Sequence, residues 1–445
     1  MKKTSRQVQM KKKVFAISII FEAMMLIFYS VHAHAVTRHE AVQYAIDNAE
    51  SIRIVRQTAQ QTREIGRQSV AFLKPQVNLM GGYAKLGTNA SDIPIPELEY
   101  PEKDILAQAE LSQILYAGGR ILRSLELEKN LYKQADQQEI SGIRDIVKDV
   151  KSTFDAVLFQ KAAVDILQDR LVQRQRELED ARNLWEAGVV ILLDVRQAQL
   201  NLNFAEDGLK EGEASSMQAL IDFNVAMGRS GGEKLLVPEG MLDKIDNLDE
   251  TIFSLYESMD KEDLFDIELR KTEAEAARLN HQIVRGEYYP ELRFLSTATT
   301  QGDSRTDMDE YWSVGLQMRW NFLDGGLTRA RSAESGAQLR SALENLERTK
   351  KNLSGQVEKI AVNHDTLKQR KLLQLEAVKL AEENYEDARE QYRAGTITLT
   401  DLAVFNLRFA EARFSLIQIY FFQRGLMVEA ERLLENERHM PLLRQ

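Results

Sequence analysis

The chain of 445 residues contains no cysteine. That excludes a disulfide framework, a thiolate metal site, a cysteine nucleophile and a lipid-modified N-terminal cysteine. Proline is scarce: Pro75, Pro94, Pro96, Pro101, Pro238, Pro290 and Pro441 are all there is. The tracts 102–237, 239–289 and 291–440 have none and are rich in Ala, Leu, Glu, Gln, Lys and Arg, the composition of long helices. Histidine is sparse too. His32, His34, His39, His281, His364 and His439 show no metal-ligand spacing. No Gly-x-Ser-x-Gly or other nucleophile motif occurs. Gly231–Lys234 echoes a phosphate loop but lacks the leading Gly, the Ser/Thr after the Lys and a preceding strand. Carboxylates abound, yet with Lys or Arg three or four residues away, the pattern of a solvated helix face. These absences imply no catalytic residue, no metal, no cofactor and no enzyme. Basic charge is also in deficit, with 58 Lys+Arg against 68 Asp+Glu and a net charge of −10, so nucleic acid is excluded as a partner.

Residues 1–35 read as a secretory signal. Lys2, Lys3, Arg6 and Lys11 to Lys13 form a basic start, Val14 to Tyr29 an apolar run, and Ala33-His34-Ala35 a cleavage site. A membrane anchor is disfavoured because the run is short and Glu22 interrupts it. Removal of this segment deepens the net charge to −15. No other apolar run approaches 18 residues, so no transmembrane helix is expected.

What is present is a duplication. Leu184–Glu206 and Gln391–Arg413 align at an offset of 207: Gly188 falls on Gly395, Asp194 on Asp401, Leu202 on Phe409 and Ala205 on Ala412. In each, one helical pattern ends at Ala-Gly and another starts about six residues later, an αα-hairpin tip. The expected organisation is a signal peptide 1–35, repeat 1 over 36–228, a turn-rich linker 229–261, repeat 2 over 262–435 and a tail 436–445.

Within each repeat the apolar period shifts from helical to two. Repeat 1 opens with a helical segment 36–73 and continues into a β-hairpin 74–117. In Gln76–Lys85, Val77, Leu79 and Tyr83 alternate with Gln76, Asn78 and Gly82. Gly87 to Lys103 is a loop. In Ile105–Leu115, Ile105, Ala107, Ala109 and Leu111 alternate with Gln108, Glu110 and Ser112. Repeat 2 has a helix 262–288, Pro290, then a hairpin 290–323 whose loop is Gly302 to Glu310. Leu292, Phe294 and Ala298 oppose Arg293, Thr297 and Thr299. Finally Trp312, Val314, Leu316, Met318, Trp320 and Phe322 oppose Gln317 and Arg319. Strands of about ten residues, apolar on one face and polar on the other, suit a membrane β-barrel. An ordinary antiparallel sheet on a soluble core would read similarly. Four strands cannot close a barrel, since the smallest have about eight. Spanning strands therefore require several copies of the chain.

The helices after the tips carry apolar residues at alternating spacings of three and four. Val195, Ala198, Leu202, Ala205 and Leu209 are matched by Leu402, Phe405, Phe409, Ala412 and Leu416. The helices before the tips follow through Val150, Val157, Val164, Leu171 and Leu178, and Val357, Leu367, Val378, Tyr385 and Tyr392. A sustained 3.5-residue period predicts coiled-coil packing.

A signal peptide, two helix–hairpin–helical-hairpin repeats, Pro75 and Pro290 before the strands, Gly118-Gly119 and Gly325-Gly326 after them, and Ala-Gly tips resemble the TolC-type outer membrane efflux protein family. Its more specific elements here are Trp320-Asn-Phe-Leu-Asp-Gly-Gly326 and Tyr392-Arg-Ala-Gly-Thr-Ile-Thr-Leu-Thr-Asp401, and the likeness covers about 36–435. The resemblance implies a mainly α fold with a small β part. It implies a homotrimer, in which long coiled-coil hairpins form a trimeric α-barrel and four strands per chain enter a shared 12-stranded barrel. It further implies an outer membrane location with a periplasmic extension. The function implied is that of a passive exit duct served by a periplasmic adaptor and an inner-membrane transporter of RND or ABC type, for small-molecule efflux or type I secretion. A periplasmic adaptor or a structural coiled-coil protein is the competing reading. By residue, the resemblance assigns the periplasmic entrance to Asp401, Tyr392 and Asp194, with Tyr392 and Asp194 hydrogen-bonded. A second acidic position is Val404 here, and a latch Arg is Ile397. Glu110, Gln108, Arg293, Gln317 and Arg319 would face the barrel lumen. Tyr83, Trp312, Trp320 and Phe322 would form the lipid-facing girdle. Asp194 and Asp401 also stand where a helix N-terminus favours a carboxylate.

Overall fold

A computed structural model describes residues 35–85, 103–230, 234–243, 264–304 and 307–434. The signal segment, the loop after Lys85, most of the 229–261 linker with Gly231, and the tail lie outside the described residues. The described chain is mainly helical. In order it comprises β1 (Ala35–Val36), α1 (Arg38–Asn48), α2 (Glu50–Ala71), β2 (Gln76–Lys85), β3 (Lys103–Ala117), α3 (Arg120–Glu186) and α4 (Leu192–Ala226). It continues with β4 (Val237–Pro238), α5 (Phe265–Arg285), β5 (Glu291–Ser304), β6 (Asp307–Arg319), α6 (Leu327–Arg393) and α7 (Leu399–Leu434). Helices α3 and α6 have 67 residues each. Their first residues, Arg120 and Leu327, are 207 positions apart, as are their last, Glu186 and Arg393. No described helix is long and apolar enough to cross a membrane.

The contacts divide the chain into two compact units. One holds residues 1–51, 146–252 and 362–429; the other holds 52–145, 253–361 and 430–445. The second unit contains the sheet, ordered β2-β3-β5-β6 and antiparallel throughout. Two hairpins lie side by side in it, and β2 and β6 are its edges. Strand β3 begins at Lys103, before the expected start. Strands β5 and β6 extend into the stretch that reads as a polar loop, with Gly302 opposite Met308 and Ser304 opposite Asp307. Polar residues occupy both faces there, so the period of two is lost while backbone pairing goes on. At the other end β6 stops at Arg319, so Trp320 and Phe322 stand just past the strand. Asn321 and Phe322 lead directly into the Gly325-Gly326 turn, where both glycines have positive φ.

The first unit contains both tips. Each is closed by the same pair of bonds. Val189 N–H donates to Leu184 O and Gly188 N–H to Trp185 O, both at 2.9 Å. Thr396 N–H donates to Gln391 O at 3.0 Å and Gly395 N–H to Tyr392 O at 2.9 Å. This motif needs a left-handed residue, supplied by Gly188 (φ 77°) and Gly395 (φ 72°). The N-terminal segment is not one helix. It breaks at Ala49, whose backbone is extended. A Cβ on Gly228 would lie 2.5 Å from Ala49 Cα, so the chain passes too close at this point for any other residue. β1 pairs in parallel with β4, Ala35 with Val237 and Val36 with Pro238. Nearby, Asp155 is buried and accepts from Arg38 Nη2 at 3.1 Å and Arg424 Nη1 at 2.8 Å. In the second unit Arg432 similarly bridges Asp145 and Asp266.

The turn from β3 into α3 separates two costs. Gly118 and Gly119 both have positive φ, 60° and 82°. A Cβ on Gly118 would sit 2.5 Å from Gly286 O, whereas one on Gly119 meets nothing within 4 Å. Gly119→Ala should therefore cost only the left-handed strain, about 1 kcal/mol. Gly118→Ala should lower the thermal midpoint of the detergent-solubilised protein several-fold more. Equal midpoints for the two variants would refute this assignment.

Candidate functional site

The register sorts the sheet into two faces, because directly paired residues share a side. One face carries Val77, Leu79, Tyr83, Ile105, Ala107, Ala109 and Leu111. It continues with Leu292, Phe294, Ala298, Trp312, Val314, Leu316 and Met318. It is apolar and open, with Trp312 78% exposed. The other face carries Gln108, Glu110, Arg293, Gln317 and Arg319, so the five residues assigned to a lumen stand together. Arg293 is directly opposite Gln317, and Glu291 opposite Arg319. Side-chain bonds lace this polar face. Arg120 and Arg293 both donate to Glu291, at 2.6 and 2.8 Å. Thr297 and Ser313 hydroxyls are 2.7 Å apart, and Tyr311 O–H donates to Gln301 at 3.1 Å. Of the four girdle residues, Tyr83 and Trp312 lie on the apolar face. Trp320 and Phe322 pack edge-to-face at 5.4 Å just beyond it, and Trp320 Nε1 donates to Tyr288 O at 3.1 Å.

At the tips, Asp401 forms a capping box at the start of α7. Its Oδ2 accepts from Thr398 O–H at 2.7 Å and Thr398 N–H at 3.0 Å, while Asp401 N–H donates to Thr398 Oγ1 at 3.2 Å. The Thr398 hydroxyl, and then its backbone N–H, hold the exposed Asp401 carboxyl below the ordinary range. Asp194 caps α4 less completely. Its Oδ2 accepts from Ile191 N–H at 3.3 Å; Ile191 has no side-chain oxygen, and Asp194 N–H donates instead to the Ile191 backbone carbonyl at 3.0 Å.

Tyr392 makes no hydrogen bond to Asp194. Its ring is buried among Leu178, Ala181, Leu399 and Leu402, and its hydroxyl has no partner within the chain. Burial, with the charges of Asp194, Asp180 and Glu177, pushes it up to about 12. Ile397 packs at the margin of the same cluster.

A polar network that reading by pattern assigned to solvent sits inside this core. Glu177 on α3 is 1% exposed and Asn406 on α7 is 0% exposed. Glu177 Oε2 accepts from Arg174 Nη1 at 2.5 Å, and its Oε1 from Asn406 Nδ2 at 3.0 Å and Tyr385 O–H at 3.3 Å. Asn406 Nδ2 also reaches Gln173 Oε1 at 3.0 Å. One turn on, Asp180 accepts from Arg389 and Arg393 of α6. Arg174 and Glu177 look like a surface i,i+3 pair in sequence. The available signal was Asn406, a lone amide between Phe405 and Leu402 on one side and Phe409 on the other.

Among the described residues no group of His, Cys, Asp or Glu could hold a metal ion. Long helical hairpins joined to an antiparallel sheet with one apolar and one polar face are the architecture of outer membrane channels. The sequence matches the family model described as "Outer membrane efflux protein" over residues 41–229 and 265–419. The chain belongs to this family of TolC-type outer membrane efflux channels, whose members are passive channels rather than enzymes. No curated protein matches the sequence. Among solved structures, the Vibrio cholerae outer membrane protein VceC is 14% identical with a TM-score of 0.76, over 89% of this chain and 95% of its own. The Campylobacter jejuni channel CmeC is 14% identical with a TM-score of 0.77, over 89% and 85%. The open state of the Neisseria gonorrhoeae channel MtrE is 14% identical with a TM-score of 0.71, over 89% and 88%.

Burial pushes the Glu177 carboxyl above its ordinary range, against the opposing pull of Arg174. A carboxyl raised on folding contributes stability that is present below its unfolded pKa and lost as pH rises through the folded one. Hydrogen exchange in 171–180 and 402–410, corrected for intrinsic rate, should therefore show less protection at about pH 8 than at about pH 4. Glu177→Gln should flatten that dependence. A dependence unchanged in Glu177→Gln would assign it to other groups.

Proposed function

We infer that the protein is one of three identical chains of an outer membrane channel-tunnel, a passive exit duct for cargo delivered from the inner membrane. One observation carries this reading. The sheet has an exposed apolar face, a polar face and two open edges, and it is too small to close alone. In lipid every backbone polar group must be satisfied, so β2 and β6 need partners. Three copies give twelve strands, an even number in the range of membrane barrels.

In this assembly Tyr83 and Trp312 meet lipid, with Trp320 and Phe322 at the periplasmic interface where amphipathic rings favour headgroups. Glu110, Gln108, Arg293, Gln317 and Arg319 line the water-filled lumen. The two repeats form adjacent helical hairpins, and their tips form the entrance to which a periplasmic adaptor and an RND or ABC transporter couple. Asp401, brought together in three copies, makes a ring of carboxylates that draws cations. Nothing in this duct calls for catalysis or a cofactor.

Fractionation tests the assembly. The protein should enter the outer membrane fraction and run as an SDS-resistant trimer; recovery as a soluble periplasmic monomer would sink the reading. Planar-bilayer recordings test the ring. The depressed pKa of Asp401 keeps its charge present well into acid, so cation preference should persist at about pH 5. Asp401→Asn should reduce that preference with the duct still intact, and an unchanged ion preference would remove Asp401 from the entrance.

A further inference from the structure

The Glu177 network has no counterpart in the other hairpin. At the offset of 207, Glu177 corresponds to Asn384, which is exposed, and Arg174 to Ala381. Tyr385 corresponds to Leu178, and Asn406 to Gln199. The apolar scaffold is alike in both hairpins; this polar layer is not. A chain with two similar hairpins faces an ambiguity. By apolar pattern alone, hairpin α3–α4 packs as well against another α3–α4 as against α6–α7. The ambiguity is sharpest when several copies assemble side by side.

We propose that Glu177, Tyr385 and Asn406 are the residues that specify which hairpins pair, selecting α3–α4 against α6–α7 and rejecting pairs of like hairpins. In the observed pairing Glu177 receives donors from both helices of the second hairpin. Against a second α3–α4, the same carboxyl would meet Leu178 in place of Tyr385 and Gln199 in place of Asn406. Against a second α6–α7, the buried Tyr385 hydroxyl would meet Asn384 and Ala381 and find no carboxyl. Buried polar groups left without partners penalise the wrong pairs more than the right pair gains, and that difference is specificity. A single buried polar position sets register in coiled coils by the same means. The Asp180–Arg389 pair does not discriminate, because Asp387 and Arg182 stand at the matching positions; only Arg393, matched by Glu186, adds to the bias.

The proposal rests on the multi-copy duct only for its consequence, an alternating ring of hairpins; the pairing itself is tested within one chain. The chain has no cysteine, and Arg176 and Glu383 are exposed on α3 and α6, so R176C/E383C takes two spin labels. One labelled chain is assembled with an excess of unlabelled copies and its label–label distance measured. Native mass spectrometry of the wild type reports the assembly independently. If the wild type is not trimeric, the duct reading fails while the distance still reports the pairing. Two variants make the hairpins alike. R174A/E177N gives the first hairpin the residues of the second. Y385L/N406Q gives the second hairpin those of the first. Each should broaden the distance distribution roughly twofold or split it, and add oligomers other than the wild-type one. E177Q, which keeps the acceptor facing Tyr385 and Asn406 across the hairpins and gives up only the one facing Arg174 on its own helix, should retain a single narrow distance. One narrow distance and an unchanged oligomer in both variants would overturn the proposal. So would loss of helical structure in both, which would make the network a stabiliser rather than a selector.

Discussion

The constraint on which the rest depends is the open sheet. Four antiparallel strands leave the outer edges of β2 and β6 without strand partners among the described residues, and the apolar face between them is exposed. A soluble protein blunts such edges with charge, proline or a covering helix. Here the edge strand β6 carries Trp312, Val314, Leu316 and Met318 on its open face. That arrangement is tolerable where the apolar face meets lipid and each edge meets another strand. In the proposed assembly the requirement for further copies thus originates in the sheet, and the helices inherit it.

The helices answer a different requirement. A pattern sustained at 3.5 residues gives each hairpin one narrow apolar seam, and Val150, Val157, Leu178, Leu402 and Phe409 are all buried along it. Stripes of this kind supply affinity without identity, because any two of them fit. Identity comes from the few positions where the stripe is interrupted. Buried ion pairs are weak contributors to stability. Asp155 between Arg38 and Arg424, and Glu177 with its three donors, therefore make better sense as constraints on arrangement than as sources of net stabilisation.

Much of this was legible in the sequence because it is periodic. Strand β2 runs Gln76–Lys85, the alternating stretch itself, and Gly188 and Gly395 have the positive φ that helix termination at Ala-Gly requires. Legibility failed where the period did. Alternation fades toward this end because Thr300, Gly302 and Glu310 stand on the face that is apolar elsewhere, yet pairing continues. The break at Ala49 carries no Pro or Gly in sequence; in the fold it coincides with the close approach of Gly228, far away in sequence. The pairing of β1 with β4 joins two-residue strands, too short for any pattern. Glu177 was misassigned for a physical reason. An i,i+3 pair with Arg174 has the same spacing whether it faces water or core, and only the opposing helices decide which.

At the tips, the capping role of Asp401 is compatible with the entrance role proposed for it. Every N-terminal helix turn leaves N–H groups without partners. Helix α7 solves this with Thr398 and Asp401 in reciprocal side-chain bonds, whereas α4, capped by Ile191, has only the Asp194 carboxylate as a side-chain acceptor, with Asp194 N–H donating to the Ile191 carbonyl. Both caps use Oδ2 of the aspartate. Asp401 is exposed and capping lowers its pKa, so the structural role favours the charged form that the proposed entrance ring needs. Capping and ion attraction therefore reinforce one another at this carboxylate. Tyr392 lies on the other side of that division. Its hydroxyl is buried without a partner, a cost on the order of 1–3 kcal/mol, and the ring is seated in the seam with Leu399 and Leu402. The first tip, with Val189, Ile191 and Leu193 exposed, carries apolar surface where the second carries Thr396, Thr398 and Thr400. Two hairpins of one design have thus been specialised by their loops: charge and hydroxyls at one tip, apolar contact area at the other.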